Sequence, residues 1–465
     1  MGFIRWQEFN AKTFALAKRS NKPILLSIIS PFSHDWQTMD RLCYHDTGIA
    51  KRIHEKFIPL LVDALKRPDI NSRYNMGGIP TTCILNSNGM VVIGATYVTP
   101  EEMFIFLSNG LNKYTSVKAQ QKEFNPVSTV NRLYDVDYLD ELNHAFDSKY
   151  GGFGTAPKHL NITALNFLLE TKDSRAKVML FKTLDMMPIS EIYDHKEGGF
   201  YRHSMQQDWG DPQYEKLLED NARLAYLYLK AFETNKKSLY KNTAKQILEF
   251  CAKMLYEDGM FYGSADVDAM AMKLPASKRP KFYVKIDKTV YIPAQANAVI
   301  AYLTAYTVLK DKKSLAIAKE AMNLLMKCKI KELFGHYYDG KINLPCLAID
   351  QITAMEAMLA MHETLKDTKY LKLAQKHAEL VMKKFGKNGI NDIIPENAGA
   401  LNKTRMNLDE NSRFSILLFK LAKYSKKEGH RKDAERMLLA VSSQSIGAGI
   451  YAGSYARALL WRKMK

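Results

Sequence analysis

From about residue 128 onward one pattern recurs: an amphipathic stretch of helical length, a short break, and another such stretch. The periodicity predicts twelve helices, near 128–148, 162–171, 174–187, 213–234, 237–256, 293–310, 313–329, 348–365, 368–385, 409–428, 430–443 and 450–463. Three openings echo one another, "KKSLYKNTAKQILEF", "KKSLAIAKEAMNLL" and "TKYLKLAQKHAELV", with Leu239, Leu315 and Leu371 in comparable places. A helix of this kind cannot bury its apolar stripe alone, so repeated pairs must stack on one another. Twelve helices taken as six hairpins can close into an (α/α)6 toroid.

The first 115 or so residues follow a different rule. A helical pattern in "WQEFNAKTFALAKRS" leads to a strand in "KPILLSIIS" and a helix from about Thr38 to Lys56. Strands are expected at "FIPLLVD", "TTCILN" and "MVVIGAT", with a final helix at "PEEMFIFLSNGLNKY". Pro80 stands at the mouth of a strand, where a cis Ile79-Pro80 bond would fit. This is the thioredoxin plan, an α/β domain over residues 1–115, joined through a polar linker at 116–127 to the helical domain at 128–465.

At the redox position of that plan, between strand and helix, the chain carries Ser33-His34-Asp35-Trp36. A serine hydroxyl holds its proton too tightly to act as a thiolate, and Trp36 cannot resolve a disulfide. Dithiol exchange is therefore excluded at Ser33, Trp36 and Pro80, a degenerate redox site. The five cysteines are scattered without a Cys-x-x-Cys pair, which supports neither a disulfide framework nor a zinc site. No residue pattern calls for a metal or a cofactor.

Net charge is +18, with Lys-rich stretches such as "KLAKYSKKEGHRKDAER". These read as solvated helix faces, because no groove-reading or stacking motif for nucleic acid accompanies the charge. No apolar run reaches membrane-spanning length and the first residues lack a signal-peptide core, so a cytoplasmic location is expected.

Chemistry is expected in the loops between helices, where Gly, aromatic and charged residues concentrate: "FDSKYGGFGTAPKH", "IYDHKEGGFYRHSMQQDWGDPQYEK", "YEDGMFYGSADVD" and "LFGHYYDGKINLP". Glycosidic cleavage needs one protonated acid and one ionised base or nucleophile, about 5 to 9.5 Å apart. Asp194, Glu215, Asp220, Asp266 and Asp350 are the candidate catalytic acids, in or beside these loops. Acids in the first turn of a helix also serve the helix dipole, which is the competing role for Glu215 and Asp220. Arg202, His203, Trp209, Tyr262 and Asp268 are the candidate substrate-binding residues. Sugar epimerisation would need histidines as acid and base beside a carbonyl. His195, His203 and His336 lie in suitable loops but show no paired spacing.

Several motifs carry a resemblance. Lys22 to Met39, "VDALKRPDIN", Gly77-Gly78-Ile79-Pro80, "GGFGTAPKH", Gly198 to Ala222 and Phe261 to Asp268 resemble those of the spermatogenesis-associated, thioredoxin-domain family, whose bacterial members are called YyaL-like. The resemblance implies a thioredoxin-like domain fused to a six-hairpin, glycosidase-like toroid. Its register puts Ser33 and Trp36 at the family's two cysteines, and Tyr201 and Gln213 where the family carries histidines. Two readings follow from different classes. In one, the toroid binds or processes a carbohydrate-like substrate as a hydrolase or an epimerase. In the other, the chain is a pseudoenzyme whose thioredoxin-like groove binds a protein partner.

Overall fold

The computed structural model describes residues 4–31, 33–116, 132–134, 137–267, 269–272, 274, 278 and 284–464. They form two compact units, one of residues 1–126 with 393–405 and one of residues 127–392 with 406–465.

The first unit is built on a four-stranded sheet. Its elements are α1 (Ala11–Ser20), β1 (Ile24–Ile29), α2 (His34–Met39), α3 (Thr47–Lys56), β2 (Ile58–Asp63), α4 (Pro68–Tyr74), β3 (Thr81–Leu85), β4 (Val91–Ala95) and α5 (Pro100–Ser116). The strand order is β2-β1-β3-β4, with β1 parallel to β2 and antiparallel to β3. All six β1 residues are buried, which is why "ILLSII" runs apolar almost without alternation. This is the thioredoxin-like plan, and the Ile79-Pro80 bond before β3 is cis.

Two features differ from the sequence expectation. The single helix expected from Thr38 to Lys56 is divided by a π-helical turn at Asp40–Tyr44, after which Asp46 caps α3 by accepting from the Ile49 amide at 2.8 Å. The additional helix α4 begins with Pro68, whose missing N–H costs nothing in a first turn.

Residues 393–405, expected within the helical domain, pack in this first unit. The Tyr74 hydroxyl donates to the Gly89 carbonyl at 2.9 Å and accepts from the Ala400 amide at 2.9 Å. Arg73 donates to the carbonyls of Ala400 and Lys403. Backbones meet so closely here that a Cβ on Gly89 would stand 2.3 Å from the Cα of Gly399.

The second unit carries twelve helices of eight residues or more among the described residues: α6 (Tyr138–Ala145), α7 (Ile162–Glu170), α8 (Ser174–Met186), α9 (Leu218–Asn235), α10 (Ser238–Met254), α12 (Ile292–Leu309), α13 (Lys312–Lys327), α14 (Ala348–Leu365), α15 (Thr368–Phe385), α16 (Leu408–Ser425), α17 (Glu428–Val441) and α18 (Gly453–Lys463), with a short α11 (Ala269–Met272) between α10 and α12. Helices α7, α9, α12, α14, α16 and α18 pack each on the next and close a ring, and their partners lie outside it. This is the (α/α)6 toroid. Inner helices α12 and α14 are buried around most of their circumference, whereas outer helices α13 and α15 bury one stripe.

Connections differ sharply between the two ends. Turns from inner to outer helix are two residues long at Lys236–Lys237, Lys310–Asp311, Lys366–Asp367 and Lys426–Lys427, and the first lysine of each is left-handed. The return loops, such as 187–217 and 255–291, are long. All of these long loops therefore gather at the N-terminal ends of the inner helices, which form the mouth. Strand pairing shortens one predicted helix: Glu215–Leu217 runs antiparallel to residues 264–266 of the strand Ser264–Val267, with Glu215 opposite Asp266 and Leu217 opposite Ser264, so α9 starts at Leu218 rather than near 213.

One device joins loop to helix four times. The fourth residue of α9, α12, α14 and α16 is a fully buried amide, Asn221, Gln295, Gln351 and Asn411. Each side-chain oxygen accepts the amide of an apolar loop residue, Phe200, Phe261, Phe334 or Ile390, at 2.7 to 3.0 Å. Each side-chain nitrogen donates to at least one loop carbonyl, as Asn411 does to Ile390 at 2.9 Å and to Asn407 at 3.0 Å. Asn411→Ala would leave the Ile390 N–H and C=O buried without these partners. It is expected to destabilise the helical unit by about 2 to 4 kcal/mol, read as a lowered urea midpoint; an unchanged midpoint would show that water replaces the amide.

Candidate functional site

The octapeptide "FDSKYGGF" at 146–153 returns as "YDHKEGGF" at 193–200, in two of the mouth loops. Both copies make the same turn. One oxygen of Asp147 accepts the amides of Lys149 and Tyr150, and one oxygen of Asp194 those of Lys196 and Glu197, all at 3.0 Å. The second oxygen takes a buried lysine at 2.7 Å, Lys158 for Asp147 and Lys216 for Asp194. Burial works against ionisation of Asp194, but Lys216 and the two amides outweigh it and hold the carboxyl below its ordinary range. Both oxygens are thereby engaged, and the geometry gives Asp194 the work of tying a loop, as Asp147 does.

The strand Glu215–Leu217 separates the candidate acids, because successive side chains point to opposite faces. Lys216 turns toward Asp194 and the face of Phe250, 4.1 Å from the ring centroid. Glu215 turns the other way to Arg202, whose Nη1 lies 3.0 Å from its carboxylate. Glu215 is buried, and its other oxygen meets no hydrogen-bond partner among the described residues.

Arg202 and Glu215 lie within electrostatic reach of Asp220, in the first turn of α9. Burial pushes the Asp220 carboxyl up to about 6, and Glu219 adds to the rise. Asp266 stands opposite Glu215 in the strand register. Glu215, Asp220 and Asp266 are therefore neighbours at the mouth. Asp350 lies elsewhere: it is fully buried at the start of α14, 2.7 Å from His336 Nδ1. Of the five candidate acids, Asp194 and Asp350 do not join the cluster.

The structure also pairs two histidines 44 positions apart, His159 and His203, with ring centroids 5.1 Å apart. The short strands Lys158–His159 and His203–Ser204 run antiparallel and place them opposite each other. Burial lowers His203 to about 4, with His159 and Arg202 adding to the effect, and burial with Arg202 lowers His159. Both rings are uncharged at neutral pH. His195, His203 and His336 show no paired spacing with one another; the partner of His203 is His159 in "GTAPKH", which no local spacing connects to it. The His195 ring donates from Nε2 to the Ser190 carbonyl at 3.2 Å, and the side chain stays exposed.

Trp209, expected to stack on a substrate, is instead fully buried. Its indole N–H donates to the Tyr150 carbonyl at 3.0 Å, and Lys158 lies 4.9 Å from its ring centroid. Tyr262 is half-buried, hydrogen-bonded to Glu257 and beneath the ammonium of Lys288. Asp268 lies outside the described residues.

At the degenerate redox position Ser33 caps α2, its hydroxyl accepting the Trp36 amide at 3.4 Å. Trp36 is only 7% exposed and packs against Tyr44, so its ring belongs to the core. Pro80 is buried. Burial pushes the thiols of Cys43 and Cys83 up to about 11 and about 12.

Residues 2–124 match the family model described as Thioredox_DsbH, "Protein of unknown function, DUF255". The chain is 29% identical over 328 residues to spermatogenesis-associated protein 20 of Mus musculus, a match covering 62% of this chain and 42% of the mouse protein. It thus spans less than half the length of that relative. Among solved structures, cellobiose 2-epimerase of Spirochaeta thermophila superposes with a TM-score of 0.55 at 13% identity, over 70% of this chain and 93% of that one. A family 76 glycoside hydrolase from a bovine Bacteroides thetaiotaomicron strain gives 0.51 at 12% identity, over 82% and 83%. At such identities these two establish the fold.

Two measurements check the site. The His203 ring resonance should titrate near pH 4 by NMR, and since folding depresses its proton affinity, the stability it permits is lost as pH falls from about 6.5 toward that midpoint; a midpoint near the ordinary value would show that water reaches the ring freely. Trp209→Ala should lower stability by about 3 to 5 kcal/mol, and weaker sugar binding at unchanged stability would restore the stacking role.

Proposed function

The chain is a relative of the spermatogenesis-associated, thioredoxin-domain proteins, and from that premise we propose that its helical unit binds a carbohydrate-like substrate at the mouth and carries out acid–base chemistry on it. The observation that carries this is the grouping of Asp220, the Arg202–Glu215 ion pair and Asp266 at the N-terminal ends of the inner helices. Two neighbouring carboxyl groups there have opposite surroundings. Asp220 is raised to about 6 and keeps a proton available, while Glu215 is held against a guanidinium. A raised carboxyl beside an ion-paired one suits the roles of acid and of anionic partner. Asp220 would protonate a leaving oxygen, and Glu215 would stabilise or assist at the opposite carbon.

A second reading rests on the uncharged His159–His203 pair beside Arg202. Proton removal next to a sugar carbonyl needs a neutral base and a cation to take up developing charge on oxygen. Solved structures sharing the fold include proteins described as a sugar epimerase and as glycoside hydrolases, which supports either chemistry without choosing between them. For the first unit we propose no dithiol exchange, since Ser33 and Trp36 occupy the redox positions.

One set of incubations separates these readings. The full chain is given D-mannose, cellobiose and aryl mannosides in deuterated water, and both released reducing ends and deuterium at C2 are measured. Hydrolysis is expected to fall about 100-fold or more in Asp220→Asn, and exchange at C2 to fall as far in His203→Ala. Absence of binding, hydrolysis and exchange across the set would overturn the proposal.

A further inference from the structure

Resting on that reading, we infer that the mouth selects an uncharged sugar and rejects phosphorylated or acidic ones. The basis is a set of ion pairs on the lumen side of the inner helices. Arg413 on α16 donates to both oxygens of Glu356 on α14, at 3.0 and 2.6 Å, and has Asp409 at 3.5 Å. One step along the same two helices, Lys420 meets Glu363 at 3.0 Å. Two junctions further around the ring, Arg457 on α18 meets Glu170 on α7 at 2.5 Å.

That these groups face the lumen follows from what else they feel. Arg413 interacts electrostatically with Glu219 on α9, which lies opposite α16 in the ring. Arg457 interacts with Tyr226 on α9 and Glu356 on α14, neither on a helix adjacent to α18 in the ring. Such pairs can see each other only across the central space.

At the mouth the same rule holds: Arg202 is taken by Glu215 and Arg223 faces Glu219. Each of these cations already has a carboxylate partner. Asp220, in the first turn of α9, adds a carboxyl group beyond those partners. A phosphate or carboxylate entering here would meet carboxyl groups and would have to displace one to gain a cation. A neutral polyol can donate hydroxyls to the same carboxylates and accept from the paired guanidinium groups, keeping every ion pair intact. The overall charge of +18 would by itself draw anions, so the selectivity runs against the long-range field.

The test compares matched probes by calorimetry on the full chain: D-mannose and cellobiose against D-mannose 6-phosphate and D-glucuronate, at 150 mM salt to screen the long-range field. The neutral probes should bind at least tenfold more tightly. Glu356→Gln, which leaves Arg413 only the longer contact with Asp409, should narrow that gap, and Glu170→Gln, which frees Arg457, provides the same readout should the first variant fold poorly. Tighter binding of the charged probes by the wild-type chain would overturn the inference and leave the carbohydrate reading standing. Failure of both classes to bind would remove both.

Discussion

The helical unit depends on four buried amides. Asn221, Gln295, Gln351 and Asn411 each sit one turn into an inner helix and hold the backbone of an incoming loop by both its N–H and its C=O. A loop passing behind an inner helix must bury peptide groups that no sheet or helix can satisfy, and the primary amide is a side chain with both a donor and an acceptor for them. Because the clamp recurs at the same helical position, it sets the height at which each loop crosses its helix. The preceding residue, the third of its helix, is Asp220 in α9, Asp350 in α14 and Glu410 in α16, so the clamp also sets the level of three carboxyl groups.

What those carboxyl groups become depends on their neighbours. Asp350 is drawn into a fully buried pair with His336. Burial raises Asp220 to about 6 beside Arg202 and Glu215, and raises Glu410 to about 8 with Asp392 and Asp409 nearby. The same helix position thus yields a structural pair in one hairpin and protonatable groups in two others. The repeated "D-x-K-x-G-G-F" loops show the complementary case, in which one motif keeps one role: Asp147 and Asp194 both tie a turn and hold a buried lysine.

Much of the architecture was legible in the sequence because it rests on periodicity. Helices α14 and α15 occupy 348–365 and 368–385, the ranges their apolar spacing predicts. Periodicity failed where long-range pairing overrode it, as at Glu215–Leu217, where three residues of apparent helix became a strand. It also could not separate a solvated charged face from a luminal one. Glu356 and Glu363, like Arg413 and Lys420, lie seven residues apart on one helix face, a pattern that reads as surface until the ring closes. Trp209 was misplaced for a related reason: an aromatic in a polar, Gly-rich loop looks exposed, and here it is the buried support of the Asp147–Lys158 pair.

By itself the sequence determined the thioredoxin-like and toroid plans, the loss of both redox cysteines and the loops that carry the candidate acids, since each is a matter of local pattern or residue chemistry. Tertiary structure decided which of those groups meet. It brought His159 to His203, set Glu215 and Lys216 on opposite sides of one strand, and turned scattered charges on separate helices into luminal ion pairs. The physical reason is that ionisation and pairing depend on distance and burial, and neither exists along a chain until the ring of helices has closed.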